Sequence, residues 1–165
     1  MTKDLEYYQY IVEHKDNIKK AFEIFGKSLC NKANVPESEV KKLIDKHDFS
    51  KFSSKEFVGY RQWFYPDSNE VPNPKLFEEA WEHHYKNNAH HPEHWISEDG
   101  EPLSMPDIYV IEMVLDWCAM SLKFHTYPID YYENNKDEIL IHPTSRNLTE
   151  SLLEVIGHHE IFNTK

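Results

Sequence analysis

The 165-residue sequence has few glycines and cysteines and no long apolar run. Its four glycines form neither a GxGxxG nor a GxxxxGK[ST] motif, so the common glycine-rich phosphate loops are excluded. Its two cysteines, Cys30 and Cys118, make no CxxC pair and no disulfide framework. No uninterrupted apolar stretch is able to span a bilayer, and we therefore expect no membrane partner.

Positive charge is scarce as well. The 18 lysines and arginines face 29 aspartates and glutamates, which gives a formal net charge of -11. A duplex nucleic-acid partner is not expected, because affinity for phosphates depends on a basic surface. A small anionic substrate is still compatible with this charge, because a bound metal reverses the local field. The N-terminal MTKDLEYY has no secretory pattern, and we expect a protein of the reducing cytoplasm.

Apolar residues recur at helical spacing along most of the chain. They predict an all-α, single-domain helical bundle over residues 1–165, with its core at about 5–157 and a polar C-terminal tail. The predicted helices cover Leu5 to Phe25, a segment starting near Pro36, Lys55 to Phe64, 75–86, Pro106 to Phe124, Ile129 to Leu140 and Thr144 to Ile156. The first of these should end at Gly26, because glycine is favoured just past a helix C-terminus. The segment from Pro106 is apolar nearly all round and should be central.

Histidine is unusually frequent, and several ionisable residues fall on apolar helix faces. The sequence has 11 histidines, five of them between His83 and His94. The residues on predicted buried faces are His14, His47 with Asp48, His84 and Asp116. Taken singly, each fits a hydrogen-bonded core residue. Taken together, they predict a metal site built from several helices. Imidazole and carboxylate without thiolate suit one or two ions of Mn, Fe, Co, Ni, Mg or Zn.

The order of these residues resembles a known superfamily. His14, then His47-Asp48, then Asp116 on successive helices is similar to the HD-domain metal-dependent phosphohydrolases, and the run from His47 to Lys51 matches their HDxxK form. More narrowly, the segments KHDFSKFS, AWEHHYKNNAHHPEHW, MVLDWCAM and LIHPTSR resemble a family of unknown function from phages and bacteria, over about residues 7–146. A phage-borne member would act in the host cytoplasm.

The resemblance implies a ligand set and a reaction. The first divalent ion would be held by His14, His47, Asp48 and Asp116, and a second by His84 and His91, with Asp48 as the bridge. The ions would activate water for attack on a nucleotide or another small phosphate ester. Lys51 would steady charge on the transferred phosphoryl group, so Asp48 and Lys51 are the catalytic candidates. Lys51 is also a substrate-binding candidate, and the others are Arg61, His90 and Arg146.

Helical phase distinguishes some of the neighbouring histidines. His84 shares a face with Phe77, Ala80 and Trp81, whereas His83 points elsewhere, which favours His84 as the ligand. Phase does not separate His90 from His91. His91 is preferred because it directly precedes Pro92 at a helix start, which leaves His90 for substrate or for an outer hydrogen-bonding role.

Two other functions are compatible with the same residues. Six histidine and carboxylate ligands in an HD fold also resemble the mixed-valent di-iron oxygenases, in which the metals activate O₂. A non-enzymatic alternative is a nucleotide-binding protein in which the metal is structural. Turnover with different metals, O₂ consumption and stoichiometric binding would separate the three.

Overall fold

The computed structural model describes residues 1–164, and within them the chain forms seven α-helices. These are α1 (Lys3–Ala33), α2 (Glu37–Lys46), α3 (Ser54–Phe64), α4 (Pro74–Asn87), α5 (Asp107–Phe124), α6 (Pro128–Asn135) and α7 (Pro143–Ile156). Short 3₁₀ turns cover Phe49–Phe52, Pro92–Trp95 and Glu160–Asn163. Across residues 1–164 the only extended pairing is one isolated bridge between Ile96 and Pro102. The expected all-α bundle is confirmed.

Local signals account for most helix boundaries. The Thr2 hydroxyl accepts a hydrogen bond from the backbone N–H of Leu5 and so caps α1. A proline opens three other helices, where its missing N–H removes no helical bond: Pro74, Pro128 and Pro143.

The prediction that α1 ends at Gly26 is wrong. The helix continues to Ala33 and ends at Asn34, which has a left-handed backbone with φ of 55°. Leu29 and Cys30 extend the buried face beyond Gly26, and their burial outweighs the weak helix propensity of one glycine. The ring of Phe22 covers the glycine.

Two further boundaries differ from the predicted ones. Helix α6 ends at Asn135 rather than Leu140, because the following carbonyls of Lys136 and Ile139 accept hydrogen bonds from Arg146. The C-terminal residues, expected to be a polar tail, form a 3₁₀ turn in which Phe162 is fully buried against Phe25. The amphipathic character of so short a segment was too weak to detect in the sequence.

The apolar residues form two cores. In the larger core, α5 is central and packs against α1, α2, α6 and α7. In the smaller core, the start of α1 packs with α3 and α4 around Tyr7, Ile11, Tyr60 and Ala80. None of the helices in residues 1–164 combines the length and apolarity needed to cross a membrane.

Gly59 permits the close packing of α3 on α4. A Cβ atom at this position would lie 2.3 Å from the backbone oxygen of Leu76 and 2.9 Å from the Cβ atom of Ala80. Only glycine allows the two helices to approach so closely. The segment that joins α2 to α3 carries His47 and Asp48.

Candidate metal centre

A sharp turn places His47 and Asp48 in the interior. Helix α2 ends at Lys46, and Asp48 adopts a left-handed backbone with φ of 55° and ψ of 20°. Aspartate tolerates this conformation better than most residues do. As a result, two adjacent side chains are both buried, with 2% of His47 and 1% of Asp48 exposed.

Four donor atoms from three parts of the chain converge on one point. The Nε2 atom of His14, on α1, lies 3.0 Å from Oδ1 of Asp116, on α5, and 3.3 Å from Nε2 of His47. Oδ2 of Asp48 is 3.5 Å from the His14 Nε2 atom and 3.6 Å from the His47 Nε2 atom. Donors about 2.1 Å from a shared ion lie about 3.0–3.5 Å from one another, so this spacing fits one divalent cation. We call these four residues the first ligand group.

A second group forms on the other oxygen of Asp48. Its Oδ1 atom lies 3.4 Å from Nε2 of His84 and 3.5 Å from Nε2 of His90, and Nε2 of His91 lies 2.9 Å from that of His84. The four donor atoms all fall within 4.8 Å of one another. We call Asp48, His84, His90 and His91 the second ligand group. The Asp48 carboxylate therefore joins the two groups.

Two atoms of the second ligand group have unmet bonding capacity. Oδ1 of Asp48 and Nε2 of His90 are buried and have no hydrogen-bond partner among the described residues. Leaving such atoms unpaired costs about 1–3 kcal/mol each, and a cation between them would remove that cost. The donor set and the unpartnered atoms therefore both fit a metal ion.

Two buried glutamates orient the imidazoles. Oε2 of Glu56 lies 2.8 Å from Nδ1 of His84, and Oε1 of Glu112 lies 2.9 Å from Nδ1 of His47. Because a carboxylate only accepts hydrogen bonds, each Nδ1 atom must carry a proton and donate it. In each neutral imidazole the lone pair is then on Nε2, which is the atom that faces the ligand group.

The electrostatics of the site favour cation binding. Burial lowers the pKa of His14, and burial together with His90 lowers the pKa of His91 well below the usual range, so both imidazoles are neutral at pH 7. Burial opposes ionisation of Asp48, but His47 and Lys51 outweigh it and hold the pKa of that carboxyl well below its ordinary value. Neutral imidazoles and ionised carboxylates are the forms that bind metals.

His47 is the exception among these imidazoles. Burial would lower its pKa, but the charge of Asp48 and the hydrogen bonds to Asp116 and Glu112 outweigh burial and raise the pKa to about 10. Without a metal, this ring is therefore an imidazolium ion at neutral pH. A cation in the first ligand group would take the place of its Nε2 proton.

An open cavity of about 600 Å³ leads to both ligand groups. Its walls include His14 and Asp116 from the first group, and His90 and His91 from the second. Lys51 also lines it, with the Nζ atom 2.6 Å from Oδ2 of Asp48. A small molecule in this cavity would contact the lysine and the ligand groups together.

The structure brings together most residues selected from the sequence. The first ligand group contains His14, His47, Asp48 and Asp116, and the second contains His84 and His91. Lys51 contacts Asp48, which belongs to both groups. His90, expected to bind substrate or to have an outer role, instead directs Nε2 at Asp48 and Asp116. His83 lies outside both groups, with Nδ1 2.6 Å from Oε1 of Glu56.

Two arginines selected as substrate-binding candidates lie away from the site. The guanidinium group of Arg61 pairs with Glu70 and with Asp4, 3.1 Å away. Arg146 donates a 2.9 Å hydrogen bond to the Tyr132 hydroxyl and two more to backbone carbonyls after α6. Neither side chain lines the cavity, and both stabilise the fold.

Sequence reasoning missed Glu56 and Glu112. Glu112 lies four residues before Asp116 on the apolar helix α5, so it was detectable as a second acid on a buried face. Glu56 is fully buried, but its position in the first turn of α3 is common for a solvated acid. Nothing in the sequence around Glu56 therefore indicated that it is a site residue.

Comparison with known proteins adds a family but no activity. No curated protein and no solved structure matched the chain. No HD-domain family was matched either. The model of DUF5662, described as a family of unknown function, matches residues 3–157. This match spans nearly all of the helical bundle and every residue of both ligand groups, and the chain therefore belongs to the DUF5662 family.

Proposed function

We propose that this protein is a metal-dependent phosphohydrolase that acts on a small phosphate ester such as a nucleotide. One observation carries the proposal: the carboxylate of Asp48 lies within 3.6 Å of imidazoles of both ligand groups, next to a cavity that Lys51 and residues of both groups line. The order of the ligands along the chain, which resembles that of HD-domain phosphohydrolases, supports the same reaction.

The residues divide into holding and substrate-contacting roles. His14, His47, Asp48 and Asp116 would hold one divalent ion, and the second ligand group would hold another. When bound, such ions supply Lewis-acid activation of water and of a phosphoryl oxygen. Glu112 and Glu56 accept the Nδ1 protons of His47 and His84, so that the Nε2 atom of each ring is directed inward and is the atom available to an ion.

Lys51 is the residue that would contact the phosphoryl group. Burial lowers its pKa, but the nearby charges of Asp48 and Asp116 outweigh burial and raise the pKa above its ordinary value. The side chain is therefore an ammonium ion at any physiological pH, and it can donate hydrogen bonds to a phosphoryl oxygen but cannot act as a base. Charge that builds on those oxygens during transfer would be stabilised by this fixed cation.

The first test combines metal analysis with a turnover screen. Untagged protein is analysed for bound metal, and phosphate release from nucleotides and simple phosphate esters is then measured with Mn, Co, Mg, Ni and Fe. We expect up to two metal equivalents and turnover that depends on them. Full metal occupancy with no hydrolysis of any phosphate ester would overturn the proposal.

A pair of lysine variants separates catalysis from general charge effects. Lys51→Gln should retain the metal and lower kcat about 100-fold, which is the size of effect seen when one oxyanion donor is removed. Lys55→Gln, a few residues further on and outside the cavity, should leave both quantities unchanged. Equal activity of the two variants would remove Lys51 from the mechanism.

The donor set also favours a second candidate, O₂ activation by a pair of irons. Five imidazoles and only two carboxylates make up the two ligand groups, and imidazole suits iron well. Protein purified anaerobically with iron is tested for O₂ consumption in the presence of small phosphorylated or hydroxylated compounds. Substrate-dependent O₂ uptake without phosphate release would favour this reaction over hydrolysis.

A further inference from the structure

The ligand groups lie where two separate cavities meet. The larger is the cavity of about 600 Å³ described above, and the second has a volume of about 380 Å³. Both are lined by the same four residues, Tyr10, Lys51, Trp81 and His91. A group bound at Lys51 therefore has open space on two sides.

The smaller cavity, which we call the aromatic cavity, suits a flat apolar group. Tyr7 and Tyr60 are buried within it, whereas Phe64 is 58% exposed. Phe77 completes the wall, with its ring centroid 5.9 Å from that of Tyr60 and 5.8 Å from that of Phe64. The ring faces and edges that these side chains present favour stacking and edge contacts with a planar ligand group.

The larger cavity has a different chemistry. Trp117 and Tyr131 provide aromatic surface, while Glu93, Glu138 and Asn135 supply hydrogen-bonding groups. Carboxylates and amide oxygens accept hydrogen bonds, so this cavity suits a group that carries N–H or O–H donors. The two glutamates disfavour additional phosphates in this cavity, because their negative charges would repel those of the phosphates.

The two cavities reach the ligand groups from different sides. The larger cavity is lined by His14 and Asp116 of the first group and by His90 of the second, whereas His84, of the second group, lines the aromatic cavity. His91 and Lys51 line both. A phosphoryl group held at Lys51 and His91 would therefore lie where the two cavities adjoin, with room for one ester oxygen on the side of each cavity.

We infer that the substrate is a phosphodiester, with a planar apolar group on one side of the phosphate and a hydrogen-bonding group on the other. This inference rests on the proposed function, hydrolysis of a phosphate ester. In the reaction, the oxygen of water forms a bond to phosphorus, and the bond from phosphorus to one ester oxygen breaks. The departing oxygen receives a proton that originates from the water, so the products are a phosphomonoester and an alcohol. No oxidant or reductant is required.

The test compares a diester with a monoester that has the same leaving group. The diester is the 4-nitrophenyl ester of thymidine 5′-monophosphate, which has one planar and one hydrogen-bonding group, and the monoester is 4-nitrophenyl phosphate. Metal-loaded protein should cleave the diester with a kcat/KM at least tenfold higher. Equal or faster cleavage of the monoester would overturn the inference and leave the proposed function standing. Cleavage of neither compound, nor of any ester in the wider screen, would count against the proposed function itself.

One variant in each cavity provides a second test, in which the kcat/KM of the variant is compared with that of the unaltered protein. Phe64→Ala alters only the aromatic cavity, and Tyr131→Ala alters only the larger one. Phe64 is 58% exposed and Tyr131 is 46% exposed, so neither change should prevent folding. Each variant should lower kcat/KM for the diester about fivefold or more, because the diester occupies both cavities.

The control is Tyr8→Ala, an exposed aromatic side chain that lines neither cavity, and it should have no effect. A loss in only one of the two variants would show that the substrate occupies one cavity, and would overturn the inference.

Discussion

Oε2 of Glu56 lies 2.8 Å from Nδ1 of His84, and the opposite nitrogen of that imidazole is 3.4 Å from Oδ1 of Asp48. A fully buried carboxylate on α3 thus determines the tautomer and direction of a candidate metal ligand on α4. Glu112 on α5 has the same relationship to His47. Carboxylates that orient metal-binding imidazoles in this way raise metal affinity without touching the ion.

The first prediction concerns Glu56 as a positioning residue. Glu56→Gln should lower the affinity of the second ligand group about 10- to 100-fold, because the amide can bond to His84 without fixing its proton on Nδ1. Metal competition with a chelator of known affinity measures the change. The first ligand group, which Glu56 does not contact, should keep its ion at unchanged affinity. Unaltered binding of both ions would show that Glu56 has a structural role only.

The second prediction separates two histidines that are adjacent in sequence. His84→Ala should lose at least one metal equivalent and most turnover, because its Nε2 atom is part of the second ligand group. His83→Ala should keep the metal and reduce activity only modestly, since His83 contacts Glu56 on the other oxygen. Metal content and initial rates are measured on both purified variants. Equal metal loss in the two would contradict the assignment.

The third prediction tests whether Asp48 joins the two ligand groups. Asp48→Asn should lose both ions, whereas Asp116→Asn, whose Oδ1 belongs to the first ligand group, should lose only one. Asparagine is well suited here because it tolerates the left-handed backbone at this position, with φ of 55°. Elemental analysis of the two variants gives the number of ions. Retention of a full second equivalent in Asp48→Asn would exclude the bridge.

Asp48→Ala is a useful companion to that variant. Alanine is strained in the left-handed conformation, which costs about 1–2 kcal/mol. Asp48→Ala should therefore unfold at a lower denaturant concentration than Asp48→Asn when both are measured without metal. Identical midpoints would indicate that the turn relaxes and that the backbone at this position is not constrained.

The helices and the candidate ligands were predicted from the sequence for the same physical reason. An ionisable side chain within an apolar stripe, as at His14 and Asp116, must be buried and must have a partner. Such a pattern requires only helical periodicity. The long extension of α1 past Gly26 was missed because one glycine resembles a helix end when the burial of Leu29 and Cys30 is unknown.

Residues whose role depends on a distant partner could not be predicted in this way. Glu56 gains its function from His84, which lies on a different helix, and nothing near Glu56 in the sequence indicates that contact. The same limit applies to Arg61 and Arg146. Their partners in the folded chain, such as Glu70 and Tyr132, are distant in the sequence or carry no signal, and only the structure shows that both guanidinium groups are engaged outside the cavity.

The fourth prediction concerns the packing that positions Glu56 against α4. Gly59→Ala should destabilise the protein by about 1–3 kcal/mol, because the new methyl group would overlap the backbone oxygen of Leu76, which cannot rotate away. Gly26→Ala is the matched control. There the added atom meets the ring of Phe22, a side chain that can move, so the free energy of unfolding should change little. Urea titrations in the presence of EDTA measure both, and equal stability of the two variants would contradict the prediction.

The last prediction is that metal binding releases a proton from His47. Its pKa is raised to about 10 in the metal-free fold, whereas an unfolded histidine has a pKa near 6.5. The protonated ring therefore stabilises the metal-free fold fully below pH 6.5, and this stabilisation is lost as the pH rises to about 10. A cation in the first ligand group needs the lone pair on Nε2 and must displace that proton. At pH 8, metal uptake should release about one proton, and affinity should rise about tenfold for each pH unit up to pH 10.

Calorimetric titrations at pH 8 in two buffers of different ionisation enthalpy measure that proton directly. Glu112→Gln provides the control, because it removes one of the carboxylates that raise the pKa of His47. Its metal-free form should hold the proton less tightly, so fewer protons should be released at pH 8 and the steep rise in affinity should end at a lower pH. The same heat in both buffers for the unaltered protein would mean that no proton is displaced. The ring of His47 would then already be neutral at pH 8, and the carboxylates around it would not set its charge.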